Sequence, residues 1–319
     1  MLRFILIYLS KACWARNIVQ KFPYAKKIAS RFVAGESLDQ AIEAVKELNK
    51  RGINTTLDHL GENVTTTDDA IQAADEILYI IERLRMEGVS SGVSIKLSQI
   101  GLIIDENICQ QNLGRILDFA QDQNIFIRID MEDSTLTEKT IEVFLTARTK
   151  ISSHLVGIAI QAYLYRSESD VRELLKKNAG IRLCKGAYKE PHGIAFPRKK
   201  DVDLNYDLIT EIMLQKSQEL GSALSPDGIV PPLAAIATHD EDRINHALKI
   251  ARSIGLDKDG LEIQMLYGIR ADLQEKLVQE GYPVRVYVPY GTEWYPYFVR
   301  RLAERPANLW FFVSNLLRS

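Results

Sequence analysis

From residue 53 onward the chain alternates between two hydrophobic periods. Short apolar runs rich in branched residues occur at INTTLDHLG, GVSIKLSQIG, IFIRIDMED, LVGIAIQAY, IRLCKGAY, LAAIATHD, LEIQMLYG and PVRVYVPYG. Each has the length of a strand and turn residues nearby, so each predicts a β-strand. Between them lie longer segments whose apolar residues recur three and four positions apart. Examples are TTDDAIQAADEILYIIERLRMEG and DLNYDLITEIMLQKSQELG, which predict amphipathic helices. Strands separated by helices imply parallel pairing with helical crossovers. Eight such units within residues 51–319 match the size of a closed (β/α)8 barrel, a TIM-like architecture. An open doubly wound sheet is the competing arrangement. It usually carries a glycine-rich dinucleotide fingerprint, and neither GxGxxG nor GxxxxGK occurs here.

Residues 1–50 read as an N-terminal helical extension. In ESLDQAIEAVKELNKRG, Ser37 suits an N-cap, Ala41, Ala44, Val45 and Leu48 follow the helical period, and Gly52 supplies a stop. The opening MLRFILIYLSKACWAR has an apolar run broken by Lys11, far short of the roughly twenty residues that span a bilayer. It predicts a short helix packed on the body of the protein, with a membrane-surface role as the alternative. No low-complexity or Pro/Ser-rich linker interrupts residues 51–319, so they form one barrel domain. The segment KEPHGIAFPRKKDVDLNYD after strand five is longer and more polar than its counterparts and predicts an active-site loop.

A net charge of −2 and an apolar share of 46% give no reason to expect nucleic-acid binding and leave ample material for a core. Cys13, Cys109 and Cys184 show no CxxC spacing. They read as small core residues in a reducing cytoplasm. His59, His154, His192, His239 and His246 lack metal-ligand spacing, and no GxSxG elbow is present. A zinc site or a serine hydrolase is therefore poorly supported.

Barrels of this kind carry their chemistry at the C-terminal ends of the strands. Those ends are polar here. Strand one ends in Asp58 and Glu62, strand two carries Lys96, and strand three carries Asp130 and Glu132. Gln161 ends strand four, and strand five brings Arg182, Lys185 and Tyr188. Thr238 and His239 end strand six, Gln264 lies on strand seven and Tyr287 on strand eight. The terminal helix adds Arg300, Arg301 and Glu304. Any one of these could be a satisfied structural group, and Lys96 could simply pair with Asp130. Strand interiors otherwise read as apolar, so convergence on one rim argues for a site. Adjacent arginines suit bidentate capture of a small carboxylate, and a tyrosine face can cover an apolar ring. The further cations of strand five suit an anionic cofactor such as a flavin with its pyrophosphate.

The pieces LDHLGE, SIKLSQIG, IRIDMED, IQAYLYR, IRLCKGAYKE, ATHD, EIQMLYG, VYVPYG and YFVRRLAERPAN appear in order over about residues 50–315. On them the chain resembles the monofunctional bacterial proline dehydrogenases. KGAY with QMLYG and the spaced RRxxE is the most specific combination. The resemblance implies FAD-dependent oxidation of L-proline to Δ1-pyrroline-5-carboxylate, the first step of proline catabolism. Hydride would pass from substrate C5 to flavin N5, and electrons would go on to quinone. Arg300 and Arg301 would hold the substrate carboxylate, assisted by Lys96, with Asp130 orienting Lys96 and Glu304 positioning the arginines. Tyr287 would pack over the ring, Tyr188 would stand between flavin and substrate, and Glu62 would pair with the arginines as a gate. Gln161 and Arg182 would meet the isoalloxazine. Lys185, Gly186 and Ala187 would meet the ribityl-pyrophosphate region, and Thr238, His239 and Gln264 the rest of the FAD. A cytoplasmic protein with peripheral contact at the inner face of the cell membrane is the implied setting. Two positions depart from the family pattern: Asp240 stands where asparagine is frequent, and Lys189 where an aromatic is more common. The rival reading from the residues alone is a Schiff-base lyase or aldolase barrel using Lys185 or Lys96.

Overall fold

The structure is a computed structural model that describes residues 29–61, 64–152 and 154–304, with the side chains of residues 302–304 outside the description. The expected helix at the extreme N-terminus, Cys13 and Glu62 therefore lie outside the described residues. The chain runs α1 (Leu38–Lys50), β1 (Asn54–His59), α2 (Thr67–Glu87), β2 (Ser91–Lys96), α3 (Glu106–Gln123) and β3 (Ile127–Asp130). It continues through α4 (Ser134–Ala147), β4 (Val156–Gln161), α5 (Ser167–Lys176), β5 (Gly180–Cys184), α6 (Lys199–Leu220) and β6 (Ala234–Ala237). It ends with α7 (Glu241–Ser253), β7 (Leu261–Leu266), α8 (Ala271–Gln279), β8 (Val284–Tyr290) and α9 (Trp294–Glu304).

All eight predicted strands form, and they pair in sequence order into a closed parallel barrel. Closure comes from β1 against β8, in register from Asn54 opposite Arg285 to His59 opposite Tyr290. The fold is the (β/α)8 barrel expected from the alternation. Predicted helix signals hold at atomic level. Ser37 and Gln40 form a reciprocal capping box at the start of α1, and Gly52 follows the helix end with φ +72°. Helix α6 starts at Lys199, within the segment predicted as loop. Its first turn is held by Arg198 on Asp201 at 2.7 Å and Lys199 on Asp203 at 2.5 Å, which extends the helix N-terminally.

The expectation of otherwise apolar strand interiors needs correction. Strand residues alternate between faces. The outward set, such as Ile127 and Ile129, packs in the main apolar core, whereas the barrel floor is ionic. Arg285 donates to Glu262 at 2.9 Å and to the carbonyls of Thr55 and Gly228 at 2.8 and 2.7 Å. Arg128 donates to the carbonyls of Ile158 and Gly180 at 3.2 and 2.8 Å. Charge is tolerated there because carbonyls and Glu262 replace water around the guanidinium groups. Gly157 makes the room: a Cβ there would stand 2.4 Å from Arg128 Nη1 and 2.8 Å from Cζ.

A second apolar cluster seats α9. Trp294, Tyr295, Phe298 and Val299 pack with Phe32, Val33, Leu60 and Ile269. The segment before α1 is tied to the end of β8 by Ala34 donating to the Pro289 carbonyl at 2.8 Å and Gly291 donating to that of Gly35 at 3.0 Å. Long-range packing thus fixes where the terminal helix lies.

The floor makes a direct expectation. Gly157→Ala should cost about 2–3 kcal/mol in urea unfolding, because a rigid guanidinium and the Gly180 carbonyl cannot both give way. Gly114→Ala in α3, where an added Cβ meets nothing within 4 Å, should instead add about 0.5–1 kcal/mol of stability. Equal effects of the two changes would contradict the packing described.

Candidate active site

A cavity of about 380 Å³ opens at the C-terminal ends of the strands, within the size range of small-molecule sites. The period-two alternation aims Lys96, Asp130, Gln161 and Arg182 into it from four successive strands. Lys185, Gly186, Ala187 and Tyr188 line it from the loop after β5, and Thr238 and His239 from that after β6. Gln264 and Tyr287 face it from β7 and β8, and Arg300 and Arg301 from α9. Fourteen of the sixteen residues given a substrate or cofactor role thus meet at one place. The other two, Glu62 and the side chain of Glu304, lie outside the described residues.

Two buried ion pairs organise the inner wall. Arg182 meets Asp130 through Nη2 and donates to Ser94 at 3.2 Å through Nη1. The other Asp130 oxygen accepts the Tyr287 hydroxyl at 2.9 Å, and the Arg182 guanidinium lies 5.1 Å from the Tyr287 ring centre. Burial, reinforced by the nearby Asp58 charge, pushes the Tyr287 hydroxyl well above its ordinary value, so it stays a hydrogen-bond donor. The second pair is Lys96 on Asp58 at 2.8 Å. Asp130 was expected to orient Lys96, and the two do stand side by side across β2 and β3. The distances give Lys96 to Asp58 and make Asp130 the anchor of Arg182 and Tyr287. Pairing is what permits these charges to be buried.

Gln161 acts as a clamp. Its Nε2 donates to the Met131 and Glu132 carbonyls at 3.1 and 2.8 Å, while its Oε1 accepts the Ala187 N–H at 2.8 Å. One side chain thereby ties together the ends of β3, β4 and β5. Next to it the backbone passes over Tyr163 at Gly186, which has φ +137°. A Cβ there would fall 2.3 Å from the tyrosine ring, so only glycine fits. Thr238 donates through its N–H to the Gln264 carbonyl and accepts the Asp240 N–H, both at 3.1 Å. His239 accepts the Leu266 N–H at Nε2 at 3.2 Å, which leaves the proton of the neutral ring on Nδ1.

Lys185, at the outer wall, meets Asp203 at 2.5 Å and Asp240 at 2.6 Å, and Lys199 reaches the same two carboxylates at 2.5 and 3.5 Å. Burial works against the charge on Asp203 and Asp240, but the lysine hydrogen bonds outweigh it and hold both below the ordinary carboxylate range. On α9, Arg301 lies over the Tyr297 ring at 5.0 Å, a pair four positions apart on one helix face.

Sequence reasoning named Asp58 as a strand end without giving it a role, and it overlooked Ser94, Met131 and Tyr297. Ser94 and Met131 look like ordinary strand residues. Tyr297 had a usable signal, its spacing from Arg301. Cys109 is a core residue as expected, its thiol pushed up to about 12 by burial. Cys184 is only partly buried and lines the cavity.

The cavity suits a flat ring system with an anionic tail and a small acid. It has cations on two walls, apolar lining from Ala159, Ala237 and Met265, and exposed backbone at Gly186 and Ala187. Both lysines proposed as Schiff-base nucleophiles are engaged by carboxylates, whereas imine formation needs a free, neutral amine.

Comparison with known proteins shows the family. The sequence model of the family described as proline dehydrogenase matches residues 41–313. Proline dehydrogenase 2 of Bacillus subtilis is 37% identical over 312 residues, covering 98% of this chain and 97% of that protein. A proline dehydrogenase of Deinococcus radiodurans is 41% identical over 294 residues, covering 91% and 90% of the two. Among solved structures, proline utilization A from Bdellovibrio bacteriovorus, inactivated by N-propargylglycine, superposes with a TM-score of 0.80 at 23% identity. It covers 95% of this chain and 36% of that much longer one, and supports the fold.

The depressed carboxylates have a consequence for stability. A group whose folded value is lowered stabilises the fold above its ordinary value and loses that contribution as pH falls through the folded value. The Lys185 cluster should therefore contribute evenly from about pH 8 to 5 and fade below about pH 4. In urea unfolding across that range, the double variant Asp203→Asn with Asp240→Asn should show a shallower acid decline than the parent. An unchanged decline would contradict the assignment.

Proposed function

We propose, from the premise that this chain belongs to the proline dehydrogenase family, that it oxidises L-proline to Δ1-pyrroline-5-carboxylate in the cavity described, with FAD as cofactor. The observation that carries this reading is the meeting of Arg300 and Arg301, from α9, with the Lys96, Asp130, Arg182 and Tyr287 wall of the barrel. In this reading the arginine pair and Lys96 bind the substrate carboxylate. Lys96 is held for that task by Asp58 at 2.8 Å. Tyr287, fixed through its hydroxyl on Asp130, presents its ring to the pyrrolidine. These contacts fix the substrate in the orientation that reaction requires.

The residues present fit FAD. Arg182 places a cation at the inner wall, the Gln161 clamp shapes the ends of three strands, and Gly186, packed on Tyr163, lines the cavity with backbone. Lys185, Gly186 and Ala187 would hold the ribityl-pyrophosphate portion, and Thr238, His239 and Gln264 the remainder. Tyr188 would separate flavin from substrate. When bound, FAD supplies the acceptor for the hydride leaving substrate C5. Glu62 and Glu304 would complete the set as partners of the arginine pair. Quinone is the proposed onward electron acceptor, reached by peripheral contact with a membrane. Among the described residues, no helix is long and apolar enough to cross one.

The substrate amine needs a free lone pair to drive hydride departure. Within the described site the acids are held in ion pairs or hydrogen bonds, so the amine proton goes to solvent before binding. Accordingly kcat/KM for L-proline should rise toward alkaline pH. Arg301→Met should lower it by about two orders of magnitude, the scale of a lost charged hydrogen-bond pair. A pH-rate study of both proteins decides the matter. A flat profile would contradict prior loss of the amine proton, and near-normal kcat/KM in the variant would remove the carboxylate assignment.

A further inference from the structure

An anionic cofactor tail beside Lys185 would meet a lysine already engaged twice. Its ammonium stands 2.5 Å from Asp203 and 2.6 Å from Asp240. The two aspartates are not equivalent. Asp203 is shared with Lys199 at 2.5 Å, whereas Asp240 lies 3.5 Å from Lys199 and depends mainly on Lys185. Asp240 also occupies the N-cap position of α7, where a carboxylate normally accepts N–H groups of the first turn. It makes no such bond. Its side chain turns to Lys185, while its own N–H is accepted by Thr238 at 3.1 Å.

We propose that Asp240 weakens the binding of FAD by competing with the cofactor's phosphates for Lys185. The inference rests on the assignment of FAD to this cavity. A phosphate within hydrogen-bond reach of Lys185 comes close to the Asp240 carboxylate. The two anions then contend for one ammonium charge, in a cluster only partly exposed to screening solvent. Binding therefore requires the Lys185–Asp240 contact to loosen. Asp203 stays behind, so removal of Asp240 leaves the lysine charged, anchored and available. Because Asp240 does not cap α7, its replacement by asparagine removes a competitor without removing a cap.

The test is a titration of deflavinated full-length protein with FAD and, separately, with riboflavin, which shares the ring system and lacks phosphate. Binding is read from flavin fluorescence. Asp240→Asn should bind FAD about fivefold more tightly than the parent, the scale of one partly exposed charge pair. Asp240→Glu should stay within about twofold of the parent, and riboflavin should bind all three equally. In a Lys185→Met background the Asp240→Asn gain should vanish. Equal FAD affinity in parent and Asp240→Asn would overturn the inference and leave the FAD site standing. A gain that persists without Lys185, or that extends to riboflavin, would also overturn it. A parent protein that binds neither flavin would overturn the cofactor assignment beneath it.

Discussion

The ion pair between Arg182 and Asp130 spans the mouth of the barrel, and the rest of the site is arranged around it. Both residues are buried, where an unpaired charge would be costly. The pair leaves one carboxylate oxygen for the Tyr287 hydroxyl and one guanidinium nitrogen for Ser94, so β2, β3, β5 and β8 are joined through a single contact. Lys96 and Asp58 repeat the logic on β1 and β2. The barrel wall is thus close to charge balance before substrate arrives. The arginines that suit a carboxylate come from α9, an element with its own apolar seat. Wall and carboxylate partners are built separately, and the cavity lies where they meet.

The same constraint operates below and beside the site. On the barrel floor, Arg285 is matched by Glu262, and Arg128 is dressed by backbone carbonyls. At the outer wall, Lys185 and Lys199 are matched by Asp203 and Asp240. The difference is exposure. The floor is sealed and holds the strands together. The outer cluster is partly open to solvent.

Much of this was legible in the chain. Branched apolar runs marked all eight strands, and their ends marked the polar rim, because parallel strands followed by helices place strand ends on one face. Partners across the barrel were not legible. Lys96 meets Asp58 across 38 positions, and Lys185 meets Asp240 across 55. Such pairings follow from register and closure, which period and composition do not specify. Arg128, Glu262 and Arg285 were missed because charged residues inside strands carry no local mark of the carbonyls that will satisfy them. The seat of α9 depends on Phe32 and Val33, far away in the chain, and had no local signature either.

The central claim is that this cavity couples a flavin to proline. The most direct measurement is the visible absorption spectrum of the purified protein, recorded anaerobically before and after addition of L-proline. The account predicts a flavin spectrum that bleaches with L-proline and stays unchanged with D-proline or buffer. A flavin spectrum untouched by L-proline would contradict the substrate assignment. A protein that remains colourless after incubation with FAD would contradict the cofactor.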